Sequence, residues 1–301
     1  MFSGPSSMHP EPRRRVRGVL VAVLLVAVVA AGAAGWFLRQ AGSDGAPSAA
    51  TPGGGSASPT PSDAPTGHGA GHVPTGHARL SGKVVLLDPG HNLRNRDHTA
   101  EIARQVDVGN ARKECDTTGT STDDGYAEAS YTLDVARRAR ALLRAEGAKV
   151  VFTQDGDRPF GPCVDERAAL GNRVHADAAV SVHADGSAVG NRGFHVILPA
   201  RVTAGKADTS EIVAPSRALG TEVAGRFKAA TGSAPSNYLG HGTGLDVRSD
   251  LGGLNLSKVP KVFIECGNMR DPKDAAQLTD PQWRQKAARG IAEGITDFLE
   301  H

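Results

Sequence analysis

VVLLDPGH, residues Val84 to His91, is the stretch that decides the fold of this chain. Four apolar residues, two of them β-branched, run into Asp-Pro-Gly, so the pattern predicts an extended, buried segment that ends in a sharp turn. A histidine follows that turn directly. The sequence therefore predicts a buried β-strand that presents the imidazole of His91 at its carboxyl end.

Two later stretches repeat this design. The apolar run AAVSV, residues 178–182, is followed by His183, and the run KVFI, residues 261–264, is followed by Glu265. In open α/β sheets, ligands bind at the carboxyl ends of the strands. We therefore expect His91, His183 and Glu265 to converge on one crevice.

A helical pattern over residues 127–146 adds a fourth polar group, because Glu128 lies in its first turn, where the helix dipole favours a carboxylate. The helix returns from the carboxyl edge of the first strand, so its N-terminus opens on the same crevice. Strand and helix patterns alternate from residue 80 to residue 301. They predict a single α/β domain with a twisted, mostly parallel sheet flanked by helices.

The N-terminal region has a different composition. Arginines at positions 13, 14, 15 and 17 precede an uncharged, mostly apolar run over residues 18–38. Such a run is long enough to cross a membrane, and the basic residues before it place segment 1–17 in the cytoplasm. The alternative is a cleaved signal peptide, since small residues follow the apolar centre. Both interpretations place everything after the run outside the cytoplasm.

Residues 39–79 consist largely of Gly, Ala, Ser, Pro and Thr, which predicts a disordered linker before a folded domain over residues 80–301. The net charge is only +2, and basic residues are interspersed with acidic ones. This distribution favours a solvated surface and argues against a nucleic-acid partner. We expect the protein to be a monomer.

The polar stretch 92–125 is too long for an ordinary connection and is typical of a loop or lid beside a site, part of it a hairpin. It contains Cys115, while Cys163 follows Gly-Pro before a helix, on the same edge of the sheet. In an exported domain such a pair oxidises, so we expect a Cys115–Cys163 disulfide. We expect Cys266, within the last strand, to be a buried free thiol.

Two histidines and a glutamate are the ligand set of hydrolytic zinc sites, which keep a fourth position open for water. We therefore take His91, Glu128 and His183 as zinc ligands, and Glu265 as the general acid and base. Asp88 either orients an imidazole or stabilises the turn before Pro-Gly. Two further histidines are interpreted as packing or surface residues: His175 and His195.

Four separated motifs occur in a recognisable order: Asp-Pro-Gly-His at 88–91, Glu128 opening a helix, Ser-Val-His-Ala-Asp at 181–185 and Phe-Ile-Glu-Cys-Gly-Asn at 263–268. This order resembles that of zinc-dependent N-acetylmuramoyl-L-alanine amidases of the amidase-3 type, and in particular the compact exported amidases of mycobacteria. The resemblance covers essentially all of residues 80–301. Those amidases also resemble this chain around residues 119–122, 161–167 and 248–251.

The resemblance implies a twisted sheet flanked by helices, zinc bound by the two histidines and the first glutamate, and catalysis by the glutamate of the last motif. These roles fall on the residues already chosen from strand ends. It also implies peptidoglycan as substrate, cut at the amide between N-acetylmuramic acid and L-alanine. The chain departs from many members at Asn92-Leu93, where they have two glycines, and at Cys266 and Asn268 around the last glycine.

The role of Arg248 and the reaction itself also stay open from the sequence. Arg248 either pairs with a carboxylate of the stem peptide, for which a guanidinium is suited, or is an ordinary surface charge. The same four groups would also serve a peptidase that cuts a peptide bond. A third alternative is a zinc-dependent wall-binding protein without turnover, and the presence of Glu265 argues against it, because a binder needs no general base.

Overall fold

The computed structural model of the protein describes residues 78–301. The predicted cytoplasmic segment, the membrane segment and the linker up to residue 77 lie outside the described residues, so these three remain predictions. Within residues 78–301, none of the helices combines the length and the apolar character that a membrane crossing requires. The first described residues contact the last helix, since Arg79 Nε donates to Glu300 Oε1 at 2.7 Å.

The domain is built on a six-stranded sheet. The ten strands of the described chain are β1 (Val84–Pro89), β2 (Gln105–Asp107), β3 (Arg112–Glu114), β4 (Lys149–Phe152), β5 (Ala178–Asp185), β6 (His195–Pro199), β7 (Thr203–Ala204), β8 (Ala207–Asp208), β9 (Leu245–Arg248) and β10 (Lys261–Asn268). Six of them form the main sheet in the order β4-β1-β5-β10-β6-β9. Strands β4, β1, β5 and β10 are parallel, and β6 runs antiparallel to β10 but parallel to β9. The expectation of a mostly parallel sheet is confirmed.

Helices cover both faces of this sheet. The seven α-helices within residues 78–301 are α1 (Thr99–Ile102), α2 (Glu128–Ala145), α3 (Val164–Arg173), α4 (Val213–Thr231), α5 (Gly252–Asn255), α6 (Pro272–Thr279) and α7 (Pro281–Glu300). The main core lies where α2, α4 and α7 pack on one face, and a smaller cluster under α3 covers part of the other. Along β1 the side chains alternate accordingly, with Leu87 in the main core and Leu86 in the smaller cluster.

Several short elements were not predicted from the sequence. Strand β9 and helix α5 span four residues each, which is too short to show a hydrophobic period, and α6 has only eight residues. The polar stretch 92–125 contains a 3-10 turn, α1 and the β2–β3 hairpin, so the expected hairpin is present. These elements matter because β9, α5 and the hairpin surround one end of the site.

Candidate metal centre and active site

The structure brings together three side chains that the sequence singled out. Glu128 lies between the two imidazoles: its Oε2 is 3.3 Å from His91 Nε2, and its Oε1 is 2.9 Å from His183 Nδ1. The donor atoms of the three residues all lie within 4.8 Å of one another. Three donors of this kind, held on three different elements, form a cluster that one metal ion can bridge.

Each donor is placed by the local backbone. His183 belongs to β5 and Glu128 opens α2, while His91 occupies the turn after β1 with φ of 59°. A positive φ in a residue with a side chain costs on the order of 1–2 kcal/mol, so surrounding contacts must hold this turn. Two glycines leave room for the cluster. A Cβ on Gly90 would lie 2.3 Å from His183 Cε1, and one on Gly119 would lie 2.8 Å from Glu128 Oε2.

The imidazole of His91 is oriented from behind by Asp116. Nδ1 of His91 lies 3.1 Å from Asp116 Oδ1 and 3.1 Å from the carbonyl oxygen of Thr117. With a proton on Nδ1 the ring donates to these acceptors, and the lone pair of Nε2 points toward Glu128. Burial alone would raise the pKa of Asp116, but the Arg167 guanidinium beside it lowers that pKa to about 2. Asp116 is therefore an anion that fixes one tautomer of His91.

Of the two alternatives for Asp88, the structure contradicts the one in which it orients an imidazole, because the partners of its carboxylate are Thr153, Arg167, Ser181 and Lys261. Its Oδ1 accepts hydrogen bonds from Thr153 Oγ1 at 2.7 Å and Arg167 Nη1 at 2.8 Å. Its Oδ2 accepts from Ser181 Oγ at 2.6 Å and Lys261 Nζ at 3.2 Å. Burial would raise the pKa of Asp88, but Lys261 and Arg167 hold it well below its usual range. Asp88 is thus the buried carboxylate on which two cations depend, rather than a partner of the metal ligands.

Glu265 lies beside the cluster on the neighbouring strand. In the parallel β5–β10 ladder it is opposite His183, so both side chains leave the same face of the sheet. One carboxylate oxygen, Oε2, is buried without a hydrogen-bond partner in the described structure. Burial raises the pKa of Glu265 well above its usual value, and the negative charge of Glu128 raises it further. A carboxyl group in this environment takes up a proton more readily than an ordinary glutamate.

A cavity of about 360 Å³ adjoins both imidazoles. The ring of Phe263 stacks on that of His183 with centroids 5.2 Å apart. Apolar groups and backbone from α3 and α5 form much of the wall, and the β2–β3 hairpin closes one side. The lining residues are Asp88, His91, Lys113, Glu114, Asp116, Thr117, Val164, Arg167, His183, Asp250, Leu251, Gly252, Gly253 and Phe263. The candidate site thus has room for part of a substrate directly beside the candidate metal ligands.

Arg248 lies at the end of β9, away from the three donors. Its guanidinium makes two hydrogen bonds to Asp250, from Nε to Oδ1 at 2.8 Å and from Nη2 to Oδ2 at 2.7 Å. Lys113 of the hairpin is 3.5 Å from the same carboxylate. Because Asp250 lines the cavity, this cluster of two cations and one anion lies at its edge.

The cysteines are arranged as expected. Cys115 and Cys163 form a disulfide, with Cα atoms 4.2 Å apart, that joins the end of the hairpin to the start of α3. Cys266 is a buried free thiol. The prediction of this pairing, and of the unpaired third cysteine, is confirmed.

The two histidines interpreted as packing or surface residues take one role each. His175 is exposed, whereas His195 is buried and packs edge-on against Tyr238 with ring centroids 5.9 Å apart. Nδ1 of His195 has no partner in the described residues, and burial lowers its pKa. The hydroxyl of Tyr238 donates to Asp185 Oδ2 at 2.6 Å.

Sequence reasoning missed Asp116, Arg167 and Lys261 as parts of the site. Each is charged and buried, whereas a charged residue is normally assigned to the surface. The available signal was weak: Asp116 directly follows a cysteine that was expected to be bridged, and Arg167 closes the stretch 161–167 that carried part of the family resemblance. No sequence pattern identifies Lys261 as a buried partner of Asp88.

The donor set fits zinc. Two imidazoles and one carboxylate suit zinc better than calcium or magnesium, which prefer shells made only of oxygen. The acceptor behind His91 matches the usual arrangement in which a ligating histidine donates its other ring N–H to a carboxylate or carbonyl. The buried Glu265 oxygen that has no partner within the described part of the chain lies on the same face of the sheet as His183. The residues present are those that a hydrolytic zinc site needs.

Comparisons with known proteins agree with this geometry. The family model described as N-acetylmuramoyl-L-alanine amidase matches residues 85–297. The chain is 39% identical over 227 residues to the N-acetylmuramoyl-L-alanine amidase Rv3717 of Mycobacterium tuberculosis, covering 74% of this chain and 88% of that protein. The crystal structure of an N-acetylmuramyl-L-alanine amidase from Mycobacterium smegmatis is similar, with 42% identity and a TM-score of 0.67, covering 73% of this chain and 98% of the other.

The apo form of the corresponding amidase from Mycobacterium abscessus is equally similar in fold, with a TM-score of 0.67 and 38% identity, covering 73% of this chain and all of the other (100%). The matched region contains every residue of the candidate site. A family match over most of the chain and a relative at this level of identity establish the assignment. The chain belongs to the N-acetylmuramoyl-L-alanine amidase family.

Proposed function

We propose that this protein is a zinc-dependent N-acetylmuramoyl-L-alanine amidase that hydrolyses the amide between N-acetylmuramic acid and L-alanine in peptidoglycan. The observation that carries the proposal is the convergence of His91, Glu128 and His183, with Glu265 opposite His183 on the adjacent strand. Membership of the family supports the choice of bond. The adjoining cavity supports binding of a substrate beside the donors.

His91 Nε2, His183 Nδ1 and a carboxylate oxygen of Glu128 would hold the metal. When bound, zinc acts as a Lewis acid that polarises a carbonyl and lowers the pKa of a water molecule to about 7. The protein contributes the fixed donor positions. Asp116 sets the orientation of His91, and the close approach of Gly119 to both His91 and Glu128 encloses the cluster.

Glu265 would act as general base and then as general acid. It takes a proton from the attacking water as the water oxygen bonds to the carbonyl carbon. It then returns that proton to the nitrogen of L-alanine as the carbon–nitrogen bond breaks. A carboxyl group with a raised pKa suits this exchange, because it must both accept and release the proton. Its buried Oε2 has no protein partner in the described structure, so no internal hydrogen bond competes for the proton.

Arg248 would bind a carboxylate of the stem peptide. Arg248 and Lys113 share the single carboxylate of Asp250 at the edge of the cavity, so this cluster carries one more positive than negative charge. A guanidinium can bind a second carboxylate through the hydrogen-bonding edge that Asp250 leaves free. The cluster would thus hold the peptide side of the substrate.

The reaction would take place outside the cytoplasm. The apolar run 18–38 would act as an anchor or a cleaved signal, and the linker that follows would carry the catalytic domain to the wall. The Cys115–Cys163 disulfide supports this location, because disulfides persist in oxidising compartments. Peptidoglycan would be the partner, and the protein would act as a monomer.

The test is digestion of purified sacculi by the full-length protein with zinc, followed by identification of new amino termini. An amidase releases stem peptides that begin with L-alanine and leaves glycan strands intact. New termini at another residue would identify a peptidase instead. Release by wild type but not by Glu265→Gln would tie the product to the proposed base, whereas binding to sacculi without any new terminus would identify a wall-binding protein.

A further inference from the structure

The turn that carries His91 needs support from other segments, since the His91 φ of 59° is one that residues with side chains rarely adopt. The carbonyl oxygen of His91 accepts hydrogen bonds from Gln154 Nε2 at 3.1 Å and from Arg167 Nη2 at 3.1 Å. The same Nη2 donates to Asp116 Oδ2 at 2.8 Å, and Asp116 in turn holds the His91 ring. One nitrogen of Arg167 therefore fixes both the backbone and, through Asp116, the imidazole of a metal ligand.

The remaining donors of Arg167 are also fully used. Nη1 donates to Asp88 Oδ1 and to the carbonyl oxygen of Pro89, each at 2.8 Å, and Nε donates to the carbonyl oxygen of Pro162 at 2.8 Å. A guanidinium has five N–H groups, and all five have a partner here. The side chain is buried, so water cannot substitute for a lost partner. Arg167 is locked in one orientation before it meets the turn of His91.

The disulfide holds the segment of Asp116 and the helix of Arg167 close together. Cys115 directly precedes Asp116, and Cys163 is the residue before α3, which carries Arg167 in its first turns. Val164 N also donates to the Cys115 carbonyl oxygen at 2.7 Å. The carboxylate and the guanidinium thus sit on two segments joined by a covalent bond and a backbone hydrogen bond close to the ion pair.

We propose that Arg167 is a positioning residue for the metal: with Asp116 it presets the backbone and ring of His91, so that the chain binds zinc without first ordering this ligand. The inference rests on the proposed zinc site. Partners of metal ligands of this kind contribute about 10- to 100-fold to metal affinity. Lysine cannot replace Arg167, because one ammonium group cannot reach Asp88, Asp116 and the His91 carbonyl together.

The experiment measures the zinc dissociation constant of the full-length protein by competition with a chromogenic chelator. The variants are Arg167→Lys, Asp116→Asn and the double substitution. An asparagine has one acceptor oxygen where the carboxylate has two, so it can serve His91 or Arg167 but not both. Each single change is expected to weaken zinc binding about 10- to 100-fold. The double substitution is expected to weaken zinc binding by much less than the product of the two single factors, because both residues act on His91 through the same hydrogen bonds.

Ser181→Ala is the matched control. It removes a hydrogen bond to Asp88 Oδ2, the oxygen that faces away from Arg167, and so weakens the same buried network without touching the turn of His91. The thermal stability of both variants is measured in the zinc-free state. If Arg167 has a purely structural role, Ser181→Ala weakens zinc binding as much as Arg167→Lys does when the two lose similar stability. The positioning role predicts wild-type zinc affinity for this control.

Wild-type zinc affinity in folded Arg167→Lys and Asp116→Asn would overturn the positioning role of Arg167. So would a double variant whose zinc affinity falls by the full product of the two single-variant factors. If circular dichroism shows that Arg167→Lys is unfolded, Asp116→Asn decides alone. If the wild-type protein binds no zinc, the proposed zinc site itself is wrong. If the wild-type protein binds zinc and the variants bind it equally well, only the positioning role is wrong.

Discussion

Glu265 lies directly opposite His183 in the parallel ladder between β5 and β10, so a carboxylate and an imidazole leave the same face of the sheet on neighbouring strands. His183 Nδ1 lies 2.9 Å from the Glu128 carboxylate, whereas one oxygen of Glu265 has no partner among residues 78–301. In the proposed mechanism, His183 binds the metal and Glu265 transfers the proton. The two roles can therefore be tested separately by substitution.

Glu265→Gln is expected to keep zinc and to lose turnover. The amide has nearly the shape of the carboxylate, so the fold should hold, but it cannot accept the proton. Loss of a positioned general base lowers kcat by about 10²- to 10⁴-fold. Hydrolysis of a soluble muropeptide and bound zinc are measured on the same sample. Glu211→Gln, at an exposed site, is the control and should match wild type. A Glu265→Gln variant with wild-type kcat would remove Glu265 from the mechanism.

Reduction or removal of the Cys115–Cys163 disulfide is expected to destabilise the fold. The bond closes a loop with a sequence separation of 48 residues. The chain-entropy model gives a contribution of about 4 kcal/mol for a loop of this size. Urea unfolding of the Cys115→Ser/Cys163→Ser variant, compared with oxidised wild type, measures it. Cys266→Ser tests whether loss of any cysteine has the same effect. Equal unfolding free energies for wild type and the double variant would contradict this contribution.

Acid is expected to weaken the fold through Asp88. The folded-state pKa of Asp88 lies below its usual range, so its contribution is complete above the unfolded-state pKa of about 3.9 and is lost as the pH falls below that value. Asp88→Asn should flatten the fall of the unfolding free energy between about pH 5 and pH 2. It should also cost about 3–5 kcal/mol at neutral pH, because Lys261 loses its buried anion and Arg167 loses one of its two carboxylate partners. Parallel pH profiles for wild type and the variant would contradict this assignment.

Arg248→Ala is expected to raise KM for substrates whose stem peptide carries a free carboxylate and to leave kcat nearly unchanged. Hydrogen bonds to a charged group contribute about 1.5–3 kcal/mol, which corresponds to roughly a 10- to 100-fold change in KM. The control is a substrate whose stem carboxylates are amidated, for which the variant and wild type should agree. An equal rise in KM for both substrates would show that Arg248 does not read the carboxylate.

The strand ends could be predicted from the sequence because they follow from a local rule. Apolar runs that end on His183 and Glu265, and one followed by a turn and His91, predict the carboxyl edge of a parallel sheet. The structure places His183 and Glu265 in the second halves of β5 and β10 and His91 in the turn after β1. Glu128 was found by the same reasoning applied to a helix start. The alternation of strands and helices was sufficient for the fold class.

The support behind the site could not be predicted. Asp116, Arg167 and Lys261 acquire their roles only through contacts between segments far apart in the chain, such as Lys261 with Asp88, 173 positions away. The role of Asp88 stayed open for this reason: its proximity in sequence to His91 made a contact with that imidazole one alternative, and Asp116 makes that contact instead. Such pairings depend on the register of the whole sheet, which no local pattern carries.

The most direct test of the account is bound zinc measured by inductively coupled plasma mass spectrometry, with amidase activity on the same samples, for His91→Ala, Glu128→Ala, His183→Ala and Glu265→Gln. In the proposed centre, three donors from separate elements would hold the ion jointly, so loss of any one is expected to remove zinc and activity together. Glu265→Gln is expected to retain about one zinc per chain without turnover. Stoichiometric zinc with full activity in all three ligand variants would contradict the proposed centre.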